Sequence, residues 1–182
     1  MLEEVDDFYE LLIESEIWSE DHIKLIKAED ATIGNINSGF KWLDQMEDED
    51  DISLVYLTTH GGPLSKDYFP WGEADGKDEC LASYWAFAYD NQVISDDQIN
   101  YRLNQLESKA ICMIVDSCYA GGFNDDPNWN KNTQNSMTTK DWIMEFGEEI
   151  SGQNRVILMA SEEDELSYSG GFAPYLIDGF RG

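Results

Sequence analysis

Ile111-Cys112-Met113-Ile114-Val115-Asp116-Ser117-Cys118-Tyr119-Ala120-Gly121-Gly122 is the stretch that decides the fold. Its first five residues form an unbroken apolar run with β-branched members, the pattern of a strand buried on both faces. A carboxylate, a hydroxyl and a thiol follow, then two glycines that let the chain turn sharply away. Parallel α/β sheets place their reaction sites outside the carboxyl ends of the strands. Upstream, Ile52-Ser53-Leu54-Val55-Tyr56-Leu57 has the same character and runs into Thr58-Thr59-His60-Gly61-Gly62. Two strand ends therefore offer a thiol and an imidazole.

The flanking segments supply the helices. Val5 to Ser15 sets Val5, Phe8, Leu11 and Leu12 at helical spacing. His22-Ile23-Lys24-Leu25-Ile26 alternates and reads as a short strand. Thr32 caps a second helix through Ile33, Ile36, Phe40 and Leu43. Residues 61–94 carry Gly-Gly-Pro, Pro70-Trp71-Gly72 and Asp75-Gly76, and read as a long connection. Ser95 reads as an N-cap with Gln98 as its capping-box partner, ahead of Ile99, Leu103 and Leu106. Residues 123–138 read as a polar loop and 139–150 as a helix. Arg155-Val156-Ile157-Leu158-Met159-Ala160 reads as a buried strand, and Phe172 to Phe180 as a last helix.

Strands alternating with helices predict an α/β fold with a mostly parallel sheet and helices on both faces, in one domain spanning 1–182. No strand precedes the first helix and none follows the last. The expectation is therefore a fragment of a longer protein, truncated at the N-terminal strand and at the C-terminal end.

Composition narrows the partners. The 182 residues are 42% apolar and 13% aromatic, enough for a folded core. Thirty-eight acids against 11 basic residues leave a net charge of -27, which repels nucleic acid and anionic membranes and attracts cations. No apolar stretch approaches the ~20 residues that span a bilayer. The acidic start (Glu3, Glu4, Asp6, Asp7) is unlike that of a signal peptide. Cys80, Cys112 and Cys118 make no disulfide framework and no C-x-x-C pair, and two histidines are too few for an imidazole-based zinc site.

Cys112, inside the apolar run, suits a structural role. Cys118 lies among polar and Gly residues, where a thiolate with a base in hydrogen-bond reach can act as a nucleophile. His60 sits at the matching strand end; His22, at the start of its segment, belongs to the opposite edge. Gly61 allows close approach of a substrate, and its N–H with that of Cys118 can cradle an oxyanion.

Together, His60-Gly61 and Asp116-Ser117-Cys118-Tyr119-Ala120-Gly121-Gly122 resemble the caspase-like (clan CD) cysteine peptidases. Metacaspases, legumain-type (C13) and gingipain or clostripain-like peptidases are the most similar branches, whereas the Gln-Ala-Cys pentad of true caspases is absent. The resemblance takes in Asp75 to Leu81, Ile94 to Ile99, Ala160 to Glu162 and Gly170 to Phe172. It implies a caspase-like three-layer αβα sandwich, with Cys118 as nucleophile, His60 as base, and Gly61 and Cys118 as oxyanion donors. It also implies that Asp116, with Thr58 beside it, lines the S1 pocket, so that peptide or protein substrates are cleaved after Arg or Lys. Without the resemblance, Asp116 would be a strand-end carboxylate capping backbone N–H groups.

The same resemblance makes Asp96 and Asp97 candidate ligands for calcium as an activator, with no cofactor required. The other reading of this pair is two acids enriching the first turn of a helix. An endopeptidase working through a thioester is the leading expectation. A transpeptidase using the same dyad and a non-catalytic interaction domain are the alternatives.

Overall fold

The run at 111–115 becomes the inner strand of a five-stranded sheet. The computed structural model describes residues 2–15, 17–64, 78–86, 88–89, 91–119, 144, 146–160 and 172–181. Its elements are α1 (Leu2–Glu14), α2 (Ile33–Met46), β1 (Ile52–Pro63), β2 (Glu79–Ala82), β3 (Val93–Ser95), α3 (Asp96–Leu103), β4 (Ala110–Tyr119), β5 (Arg155–Ala160) and α4 (Ala173–Arg181). A helical turn at 146–149 precedes β5. The strand order is β3-β2-β1-β4-β5.

β1, β4 and β5 are parallel to one another, as the sequence predicts. β2 pairs antiparallel with both β1 and β3, so it is the one reversed strand in an otherwise parallel sheet. β2 and β3 come from the 61–94 connection, which the sequence reads as a loop. They escape notice because they are only four and three residues long, and β2 begins on a buried acid, Glu79. β2 reaches β1 only at Gly61–Pro63. Among the described residues, 52–60 of β1 therefore have a ladder partner on the β4 side alone.

Period-two alternation sorts the side chains into two cores. Leu54 and Tyr56 of β1, Ile114 of β4 and Leu158 of β5 meet Phe8 and Leu11 of α1 and Ile177 of α4. Val55 and Leu57 of β1 and Ile111, Met113 and Val115 of β4 meet Phe40 of α2, Ile99 and Leu103 of α3, and Phe146 and Ile150. The result is a three-layer αβα sandwich. Met113, Ile114 and Val115 have no exposed surface, and burying each side chain contributes about 1.5–3 kcal/mol.

The caps hold where the sequence places them. Thr32 Oγ1 accepts from Asn35 N at 3.2 Å. Ser95 Oγ accepts from Gln98 N at 3.3 Å and Gln98 Oε1 from Ser95 N at 3.3 Å, closing the capping box. The strand expected at 22–26 does not form. Glu20–His22 is a 3-10 turn, and the extended residues after it lie along α2. Lys24 sits over the Trp42 ring, and Ile26 lies so near Gly39 that a Cβ there would come within 2.9 Å of its Cδ1. The residues against α2 are thus Lys24 and Ile26, whereas Leu25, which with Ile23 makes the alternation, is 40% exposed. Gly121, Gly122, Asp75, the 123–138 loop and the start of the 139–150 helix lie outside the described residues.

Candidate active site

β1 and β4 pair in parallel from Ile52 with Ala110 to Gly61 with Tyr119. This register sets Thr58 opposite Asp116 and His60 opposite Cys118. Paired strands run about 4.8 Å apart, so the base and the thiol occupy adjacent backbone positions at the carboxyl end of the sheet.

The histidine end of β1 is braced from the β2 side. Thr59 Oγ1 donates to Ala82 O at 2.7 Å, and the Cys80 thiol donates to Gly62 O at 3.0 Å. Leu64 N donates to Asp78 O at 2.6 Å, which by antiparallel parity makes Gly62 and Cys80 a hydrogen-bonded pair and turns the Gly61 N–H toward β4. His60 is half-buried, and desolvation lowers its pKa, favouring the neutral imidazole that can take a proton.

Asp116 is also half-buried. Burial raises its pKa, and the negative charge of Glu4 on α1 raises it further. Tyr56 Oη donates to Asp116 Oδ2 at 3.5 Å, and the phenol's own pKa is pushed up by burial and by the Asp116 charge. The Tyr56 ring is fixed by Phe8, with centroids 4.6 Å apart. A ring hydroxyl and two carboxylates therefore gather beside Thr58. Sequence reasoning overlooks Tyr56 and Glu4. Tyr56 is legible in principle, because it shares the strand face of Thr58 and His60 by alternation. Glu4 carries no local signal.

Asp96 and Asp97 stand in the first turn of α3, next to the Cys80–Ser95 pairing of β2 and β3. They are buried with 0% and 4% exposure, and the β2 acids Asp78 and Glu79 with 0% and 1%. Asp96 is pushed up to about 8 chiefly by burial; the Asp97 N–H lowers it, and the charges of Asp78, Asp97 and Glu149 raise it. Its Oδ1 accepts from Asp97 N at 2.9 Å, while its buried Oδ2 has no hydrogen-bond partner. The Cys80 thiol is likewise pushed up, first by burial and then by Asp96, Glu79 and Asp78. Hard carboxylate oxygens with one orphaned atom are the donor chemistry of a calcium site. Among the described residues, however, no three ligating side chains already surround one ion position.

A profile of the family described as metacaspase, peptidase C14 domain, matches residues 3–127. The chain belongs to this family. It is accordingly a caspase-like cysteine peptidase domain, of a class that acts on proteins or peptides. The match takes in His60, Asp116 and Cys118. The structure of protein GSU0716 from Geobacter sulfurreducens is similar at 18% identity and TM-score 0.61, covering 98% of this chain and 72% of that one. At that identity the likeness speaks for the fold alone. No curated protein matches the chain. No described helix of this metacaspase-family chain is long and apolar enough to cross a membrane.

Proposed function

We propose that the chain hydrolyses peptide bonds after Arg or Lys through Cys118 and His60. The observation that carries this reading is the β1–β4 register, with His60 opposite Cys118 and Asp116 opposite Thr58 one alternation earlier. Neutral His60 takes the Cys118 thiol proton, the thiolate attacks the scissile carbonyl carbon, and the electron pair moves to oxygen, where the N–H groups of Gly61 and Cys118 receive the charge. The C–N bond breaks as the amine takes a proton from the His60 imidazolium, leaving a thioester. Neutral His60 then draws a proton from water, whose oxygen displaces the thiolate and releases the acid.

Selectivity rests on Asp116. Burial and Glu4 make its charge costly in the free protein. A guanidinium or ammonium beside it relieves that cost and forms charge-assisted hydrogen bonds worth about 1.5–3 kcal/mol. Calcium is the proposed activator, with Asp96 and Asp97 as ligands and Asp78 and Glu79 in the same buried cluster. The ion would supply positive charge to acids that otherwise repel one another.

The test is labelling with an Arg- or Lys-directed thiol-reactive peptide analogue, with and without calcium, followed by mapping of the adduct. Expected are labelling of Cys118, its loss in His60→Ala, and loss of basic preference alone in Asp116→Ala. No adduct under any condition sinks the peptidase reading. A product joined to an added amine would replace hydrolysis with transpeptidation.

A further inference from the structure

The loop joining β2 to β3 carries Tyr84, Trp85 and Tyr89 at 47%, 45% and 61% exposure. Surface rings are ordinary singly; a contiguous set held in place marks an interaction surface. Tyr84 meets Trp85 edge-on at 5.0 Å between centroids, and Trp85 meets Tyr89 at 6.4 Å. Trp85, Tyr89 and Gln92 line a shallow pocket of about 240 Å³. That is smaller than the roughly 300–1,000 Å³ of small-molecule sites and suits one long side chain.

The loop is built to hold this display. Ser83 N and Ser83 Oγ donate to Gln92 O at 3.0 and 2.7 Å, closing its base. Ala88 N and Tyr89 N both donate to Trp85 O at 3.0 Å, and Gln92 N donates to Tyr89 O at 3.1 Å. Ala86, 1% exposed, packs under the loop with Ala82 and Val93. Ala86 faces in, while Tyr84, Trp85 and Tyr89 face out.

Charge selects the occupant. The stretch 78–101 contains not one Lys or Arg, and the chain carries a net charge of -27. Tyr84 N donates to Ala31 O at 2.9 Å, which fastens the loop to the exposed acids Glu29 and Asp30. Aromatic faces in an anionic field attract guanidinium and ammonium groups. We infer that the Tyr84–Trp85–Tyr89 loop is a docking surface for an Arg- or Lys-bearing peptide segment, whose cationic side chain enters the Trp85–Tyr89 pocket. None of its residues is assigned to the S1 site proposed above, and the inference stands whether or not that reading does.

The test is fluorescence anisotropy at low salt with a dye-labelled Arg-containing octapeptide, and with the same peptide carrying neutral citrulline. The full chain is first blocked at Cys118 with a thiol-directed reagent. The double variant Trp85→Ala, Tyr89→Ala keeps the net charge of the protein, so it separates ring contacts from bulk attraction. Expected is binding of the Arg peptide that weakens about tenfold in the variant, with a similar loss for citrulline. Equal affinity for variant and wild type overturns the inference, as does equal affinity for both peptides, which would indicate neutral stacking. Binding abolished by the Cys118 block also overturns it, since the peptide would then occupy the catalytic site. If the double variant unfolds, Tyr89→Ala alone, at the most exposed ring, carries the same comparison.

Discussion

Asp96→Asn tests the buried acid cluster most directly. The folded-state pKa of Asp96 lies at about 8 against an ordinary 3.8, with burial as the main cause. The folded protein therefore keeps this proton where the unfolded chain releases it, and stability falls as pH rises from about 4 to about 8. With each pKa unit worth about 1.4 kcal/mol, the loss is on the order of 5 kcal/mol at the alkaline end. For a chain of this size that corresponds to roughly 10–20 °C in Tm, at about 2–4 °C per kcal/mol. Calcium at a hundred times its Kd would restore about 2.7 kcal/mol, or roughly 5–11 °C. The Asn side chain retains the Oδ1 that accepts the Asp97 N–H and removes the charge. Expected from thermal unfolding between pH 5 and 9 are a steep fall for the wild type without calcium, partial recovery with calcium but not with monovalent salt, and a flatter profile for Asn with little calcium response. A wild-type Tm that stays flat across this range without calcium refutes the pKa argument. An undiminished calcium shift in the Asn variant refutes the site.

Four further outcomes follow from the other elements. Asp116→Asn should lower kcat/KM for Arg substrates by roughly 10- to 150-fold, the loss of a charge-assisted pair, while reactivity of the thiol toward a small reagent is unchanged. Because burial and Glu4 raise the pKa of Asp116, the preference for basic over neutral P1 residues should fade on acidification sooner than an ordinary carboxylate would allow, visible in kcat/KM at graded pH. Desolvation lowers the His60 pKa from 6.5, so the limb of the pH–rate profile due to imidazole protonation should lie below 6.5; a limb above it would contradict the buried setting. Ile114→Ala, at a fully buried position facing Phe8 and Leu11, should cost about 2–5 kcal/mol in denaturant unfolding, and a cost under 1 kcal/mol would contradict the packing of β4.

The parts of the fold that are legible in the sequence are those with local causes. Ser95 and Gln98 form their capping box from four consecutive residues, and Thr32 caps α2 by the same short-range logic. The continuous apolar runs of β1 and β4 announce strands covered on both faces. The β2–β3 hairpin is invisible for the opposite reason: Glu79-Cys80-Leu81-Ala82 is buried throughout and shows no alternation, and its acid argues for the surface. The 22–26 segment errs the other way: Ile23 and Leu25 alternate as a strand would, but Lys24 and Ile26 lie against α2 and no described strand includes them.

The candidate site divides along the same line. His60 and Cys118 are identifiable as strand-end residues, but their being opposite one another depends on the offset between β1 and β4, which no local pattern encodes. The acids show the limit most clearly. In the sequence Asp96 and Asp97 read as a calcium pair or as first-turn helix acids, and nothing joins Asp78 and Glu79 to them. Pairing Cys80 with Ser95 draws the β2 acids toward the start of α3 and encloses all four. The same strand donates from Cys80 to Gly62, two residues beyond His60. β2 is thus the shortest covalent and hydrogen-bonded route between the acid cluster and the histidine end of β1. A change in charge that shifts β2 cannot leave Gly61 and Gly62 untouched, since they are the very residues with which β2 pairs.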